Sequence, residues 1–165
     1  MMARMDGLPW HPSVVHFPLV LGLLVPLLGA ILFWFTRSDD TLAQKAFRLP
    51  LAAQALALLT AIVAQRTGDG DHERVEDFVD TALLHGHEEA GELFTIATGV
   101  VFAIWFASAL AREAKVARSA ALAAVVAGIV AAVLGMRAGH LGGELVYIHG
   151  AADAWKAAPT ESITP

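Results

Sequence analysis

The chain has 165 residues, 56 % hydrophobic and 16 % charged, with no cysteine, a formal net charge of −5 and a mean hydropathy of +0.59. Soluble domains carry about a quarter charged residues, so an ordinary soluble fold is excluded, and an acidic chain without a basic domain excludes nucleic acid as a partner. Without cysteine there are no disulfides, thiolate zinc sites, Cys-ligated iron–sulfur clusters or covalent c-type haem in this chain.

Four runs hold no Asp, Glu, Lys or Arg: residues 17–36, 49–65, 93–111 and 119–136, of 20, 17, 19 and 18 residues. Each is close to the roughly 20 residues a helix needs to cross about 30 Å of hydrocarbon. The sequence therefore predicts an all-α integral membrane four-helix bundle, a single domain over 1–150 followed by a partly disordered tail over 151–165. The first run is too long for the apolar core of a signal peptide, and Thr36-Arg37-Ser38-Asp39 is no small-residue cleavage site, so it reads as a span. Pro26 is expected to kink it by removing one helical hydrogen bond. Between the second and third runs, Val75, Phe78, Val79, Ala82 and Leu83 follow helical spacing in an acidic stretch, which predicts a short amphipathic helix on the outer surface. Trp34 and Trp105, near span ends, and Trp10 and Trp155, outside the spans, read as interfacial anchors. Gly135-x-x-x-Gly139 reads as a helix-packing motif, Gln54 and Gln65 as polar bridges between helices, and residues 157–165 as disordered.

Charge sets the expected orientation. The short loops, 37–48 and 112–118, hold six Lys/Arg in 19 residues, whereas the segments on the other side hold five in 72 with thirteen acids. By the positive-inside rule the short loops face the cytoplasm. The protein is then N-out and C-out in the bacterial cytoplasmic (inner) membrane, with both termini periplasmic.

All seven histidines fall on the outer side. His16 immediately precedes the first span, His87 precedes the third by about one and a half turns, and His140 follows the fourth by about one turn. Three helices thus carry an imidazole at one depth, and His149 joins them if the segment after Gly142-Gly143 folds back. Imidazole is the commonest neutral ligand for haem iron, zinc and copper, and helix bundles host such centres between facing helices. Arg66 and Arg137 stand at the same level, where a guanidinium fork can pair with a haem propionate, and Gly91, Gly135 and Gly139 can give a flat macrocycle access to backbone. His72 and His85 read as surface or helix-start residues. His85 with Glu88, Glu89 and Glu92 could hold a cation, although a solvated acidic helix start accounts for the acids equally well. His87-Glu88-Glu89-Ala90-Gly91 begins like a zinc-protease motif but has Gly91 in place of the second histidine, and Asp69-Gly70-Asp71 resembles part of a calcium loop without its later glutamate.

The opening His11-Pro12-Ser13-Val14-Val15-His16-Phe17-Pro18 and the closing Gly139-His140-Leu141-Gly142-Gly143-Glu144-Leu145-Val146-Tyr147-Ile148-His149-Gly150 resemble the bacterial four-span membrane-protein family catalogued as domain of unknown function 2231. The likeness also touches Thr67-Gly68 and the His87 region, and so spans about residues 11–150. It implies weight on His11, His16, His87, His140 and His149 rather than His72 and His85. Some relatives are joined to Rieske-type iron–sulfur domains or lie beside cytochromes, so the resemblance implies a redox setting, with any soluble carrier a separate protein here.

The leading expectation is a non-covalent b-type haem protein, with one or two haems, that passes electrons at the outer face between quinol and a periplasmic redox protein. It would be a carrier or subunit rather than a stand-alone enzyme. His16, His87, His140 and His149 are the candidate axial or metal ligands, and Arg66 and Arg137 the candidate propionate partners. The alternatives are a non-haem copper, zinc or iron site on the same histidines, with help from Glu88 or Glu144, and a structural or assembly subunit, as a homo-oligomer or within a larger membrane complex. Transport is disfavoured because no ionisable residue lies inside a span.

Overall fold

In the computed structural model, which describes residues 9–156, every regular element is helical. The elements are α1 (His11–Val14), α2 (His16–Phe35), α3 (Asp40–Ala46), α4 (Arg48–Val75), α5 (Thr81–Leu110) and α6 (Ala114–Tyr147), closed by a 3-10 turn over Ala151–Trp155. Four helical stretches, His11–Phe35, Asp40–Val75, Thr81–Leu110 and Ala114–Tyr147, are long and apolar enough to cross a membrane. Around the bundle, α2 packs on α4, α4 on α5, α5 on α6, and α6 back on α2.

The inward faces share one repeat. On α4 it runs Pro50, Gln54, Ala57, Ala61, Ala64; on α6 it runs Ala117, Ala121, Ala124, Gly128, Ala131, Gly135, Ala138; on α5 it includes Phe94, Thr98, Val101, Trp105, Ser108. Steps of four and three residues average 3.5 per turn, the spacing of left-handed helix bundles. Most of these residues are Ala or Gly because lipid gives helices no hydrophobic drive to associate, so close backbone approach and van der Waals contact must hold them together. Gly128 receives the ring of Pro26, 3.1 Å from where a Cβ would stand, and Gly135 receives Phe94 and Leu19. Helix α2 runs unbroken through the buried Pro26. Gln54 donates through Nε2 to the Thr98 carbonyl at 2.9 Å, bridging α4 and α5 as its sequence position suggests, whereas Gln65 is exposed.

Trp105 corrects the anchor assignment: it is fully buried, 6.0 Å from Phe47, with its ring against the bare Cα of Gly29. Its depth along α5 matches an interface, but its face points into the bundle. Trp10 and Trp34 are exposed. At this end the connections are tight. Asp39 caps α3 by accepting from the Leu42 amide, Arg118 pairs through Nε with Asp40 at 2.8 Å and donates to the Thr36 carbonyl, and Ser108 donates to the Ala117 carbonyl at 2.8 Å.

The opposite end, which carries all the histidines, is built differently. The stretch expected as a separate amphipathic surface helix is instead the last residue of α4, a turn, and the start of α5, capped by Asp80 accepting from the Ala82 amide. Helices α4, α5 and α6 continue ten to twelve residues beyond their uncharged runs, about 15–18 Å at 1.5 Å per residue. They form a head with its own core of Val75, Leu84, Leu145, Ala151 and Ala154, flanked by Val79 and Trp155. The apolar residues of the stretch are thus spent partly on this core rather than on a membrane surface. Gly150, at a φ of 78° that strains any residue with a Cβ, turns the chain so that the 3-10 segment reaches back onto the head. Asp69-Gly70-Asp71 lies within α4, so no calcium loop forms there. The expected disorder of 157–165 lies outside the described residues.

Candidate functional site

Two imidazoles meet at the base of the head. His11, on the one-turn helix α1, puts Nδ1 2.8 Å from the Ala64 carbonyl of α4, with the Thr67 hydroxyl 3.5 Å from the same nitrogen. His87, on α5, puts Nδ1 3.1 Å from the Ala138 carbonyl of α6. Their ring centres are 6.0 Å apart and nearly perpendicular, at 80°. A carbonyl oxygen only accepts, so Nδ1 donates in both rings, and each neutral imidazole keeps its lone pair on Nε2. Metal-ligating histidines are commonly oriented by such a contact on the other ring nitrogen.

Both rings lie on glycine. A Cβ on Gly68 would stand 3.1 Å from Cε1 and Nδ1 of His11, and one on Gly142 would stand 2.9 Å from Cε1 of His87. The pair therefore joins four helices: α1 to α4, α5 to α6, and the two halves through the ring contact. His87 lies six residues before the uncharged run of α5. Burial holds it below the ordinary histidine range, and the nearby His11 acts in the same direction, against the Ala138 carbonyl and Glu88. Asp71, one turn beyond Gly68 on the same face of α4, is pushed above the usual carboxylate range by burial, partly offset by His11 and Arg74.

A second network lies farther out. Glu88 bridges His72 of α4 and His85 of α5, with His85 Nδ1 at 3.3 Å, and His72 Nε2 also approaches Glu76 at 3.5 Å. The hydrogen bond to Glu88 raises His72 above the ordinary histidine range. Sequence position alone left these two histidines as surface residues. His85 is exposed, whereas His72 is half-buried and ties two helices together.

The structure distributes the sequence-selected residues as follows. His87 is in the pair. His16 is exposed at the start of α2, beside a shallow apolar groove with Phe17, Val20 and Leu56. His140 is exposed and pairs with Glu144 at 3.3 Å, and His149 is exposed beyond the end of α6. Arg66 and Arg137 are exposed on the outer faces of α4 and α6. Gly91 is not packed against another side chain, and Gly139 touches Leu19. Nothing in the structure brings His16, His140 or His149 to His87; His11 takes that place. The partner of His11 depends on tertiary contacts, but Thr67-Gly68 and Gly142, which seat the two rings, are in the motifs already singled out. Among the described residues, no group of three His, Cys, Asp or Glu is arranged to hold a metal ion.

This architecture is that of a four-helix membrane protein with an elevated, histidine-bearing head. Residues 7–154 match the family described as "Predicted membrane protein (DUF2231)", and the chain belongs to that family. No curated protein and no solved structure matches it.

Proposed function

We propose that this membrane protein holds a b-type haem through imidazoles at its histidine-bearing end and transfers electrons there, as a carrier or as a subunit of a redox complex. The observation that carries the reading is the His11–His87 pair: two imidazoles from separate helices, each fixed through Nδ1 to a backbone carbonyl, with ring centres 6.0 Å apart. His11 and His87 would hold the group through the lone pairs that their Nδ1 contacts leave on Nε2. Zinc takes three or four protein donors, and the pair supplies two. Bound haem would supply one-electron chemistry. The residues of this chain would orient the ligands through Nδ1 and limit water at the base of the head. His16, His140 and His149 remain candidates for a second centre, and Arg66 and Arg137 for its carboxylates.

A second reading has its own support in the flush fit of both rings on Gly68 and Gly142: the pair is then a structural clasp in an assembly subunit. One experiment separates the two. Detergent-purified protein from haem-replete cells is scanned oxidised and dithionite-reduced, alongside His11→Ala and His87→Ala. The haem reading expects a Soret band with sharp reduced α and β bands, lost in both variants. A featureless spectrum, or bands unchanged in both variants, overturns it, and lowered stability without any chromophore identifies the clasp.

A further inference from the structure

Where α2 leaves the apolar layer, at the end of the bundle away from the histidines, Arg37 folds back on the helix. Its Cζ lies 4.4 Å from the centre of the Trp34 ring, and Nη1 donates to the Trp34 carbonyl at 3.1 Å. Trp34 and the neighbouring Phe35 are 63 % and 76 % exposed. Both belong to the uncharged run 17–36, and Arg37 is the first charged residue after it. This turn therefore stands at the edge of the hydrocarbon, the level at which tryptophan rings settle in a membrane. Depth selects lipid rather than a soluble partner.

The two carboxylates that follow within three residues do not answer Arg37. Asp39 accepts from the Leu42 amide as the cap of α3, and Asp40 pairs at 2.8 Å with Arg118, which also donates to the Thr36 carbonyl. Among the described residues no ion pair engages Arg37. A guanidinium carries its N–H donors in a planar fork that matches phosphate oxygens. The Trp34 ring beneath it holds that plane by cation–π attraction and leaves the other face open. Phosphatidylcholine cancels its phosphate with its own ammonium, whereas phosphatidylglycerol leaves the charge uncompensated. We propose that Trp34 and Arg37 form a binding site for the phosphate headgroup of an anionic phospholipid, with its acyl chains along Trp34 and Phe35. The site is independent of whether haem binds.

The test reads tryptophan quenching by brominated acyl chains, with the full chain in nanodiscs of equal parts phosphatidylcholine and phosphatidylglycerol. Bromine is placed first on one lipid, then on the other. The part of the emission lost in Trp34→Phe is that of Trp34. Phosphatidylglycerol is expected to be favoured beside Trp34 about fivefold, the preference one Lys or Arg gives at an anionic surface. Arg37→Gln, a change to an exposed side chain that leaves the bundle intact, should abolish the preference. Arg112→Gln, in the loop between α5 and α6 at the same end, should keep it. Equal quenching by the two lipids in the wild type, or a preference that survives Arg37→Gln, overturns the proposal. An equal fall in both variants marks diffuse attraction by the basic loops and overturns it as well. Excess inorganic phosphate at constant ionic strength should leave the quenching unchanged; displacement of the brominated lipid would name a soluble anion as the ligand instead and also overturn it.

Discussion

Adjacent glycines on α6 should respond to the same substitution with opposite signs. In Gly142→Ala, the new Cβ would stand 2.9 Å from Cε1 of His87, whereas carbon atoms rest at about 3.5–4.0 Å. The ring must therefore retreat by about 0.6 Å or more. It is tethered by an Nδ1 contact of 3.1 Å to the Ala138 carbonyl, and that retreat takes the contact to the limit of hydrogen bonding, about 3.6 Å. Losing a partly buried hydrogen bond costs about 1–3 kcal/mol, and overpacking adds to the loss. Replacing a mid-helix glycine returns about 1 kcal/mol, so the net effect is destabilisation by about 1–2 kcal/mol. Gly143 has nothing within 4 Å of its Cβ position, so Gly143→Ala keeps only the helix term and gains up to about 1 kcal/mol. Reversible unfolding in mixed micelles measures both, and the imidazole nitrogen resonances report whether Nδ1 of His87 loses its acceptor. Gly142→Ala at or above wild-type stability, or the two variants moving together, would falsify the assignment of Gly142 as the seat of His87.

Gly29→Ala, which places a Cβ 2.6 Å from Trp105 and 2.9 Å from Val125 in the most buried part of the bundle, should cost about 2–3 kcal/mol in the same unfolding assay. Gln54→Leu removes the 2.9 Å bond to the Thr98 carbonyl and should cost about 0.6 kcal/mol, the average for hydrogen bonds between membrane helices, and no more than the maximum of about 1.7 kcal/mol. The Glu88 bond raises the pKa of His72, so its contribution to stability is fully present below the unfolded histidine value near 6.5 and is lost as pH rises through the higher folded value. Stability profiles of wild type and Glu88→Gln should therefore converge above that transition and separate below it, and parallel profiles would remove His72 as the source. His87 carries the opposite sign: its folded pKa is lowered, so it loses stability as pH falls below about 6.5, and His87→Gln should flatten that acid limb.

Much of the architecture follows from charge alone. Runs without a charged side chain locate four helices, and the seven-residue and twelve-residue loops at one end require adjacent antiparallel neighbours. The head is harder to read because its helices change solvent without changing structure. Beyond Gln65, α4 enters an acidic stretch containing Gly68 and Gly70, which resembles a loop by composition. Its inward repeat nevertheless persists through Ala64, Gly68, Asp71 and Val75. Similarly, Val75, Phe78, Val79, Ala82 and Leu83 carry a helical spacing that suits a membrane surface, but only Val75 and Val79 of these join the small core, with Leu84 rather than the exposed Leu83 beside them. Only the return of the 3-10 segment, turned by Gly150 and bringing Ala151 and Ala154, decides in favour of the core.

The histidine candidates show what depth along a helix omits. His16, His87 and His140 lie at comparable levels, but a helix presents each level on every side, and successive residues are about 100° apart. The inward repeat on α6 passes through Gly135, Ala138 and Leu145, with Gly142 between the last two seating His87. His140, two residues from Ala138, is therefore turned about 160° away and meets Glu144 on the exposed side. On α5 the repeat places His87 one turn after the buried Leu84 and two turns before Phe94, facing inward. On α2, Pro18, Gly22, Val25 and Gly29 carry the repeat, and His16 falls two residues off it. Carried back seven residues from Pro18, the same register lands on His11. The small residues that mark the inward face were thus the available signal for side, as absence of charge was for depth. The same rule places Arg66 and Arg137 outward, since each is two residues or one from a repeat position and both are exposed. An inward pair at one level and outward charges around it is what a site needs if its ligands are to be held by the bundle while its surroundings are recognised from outside.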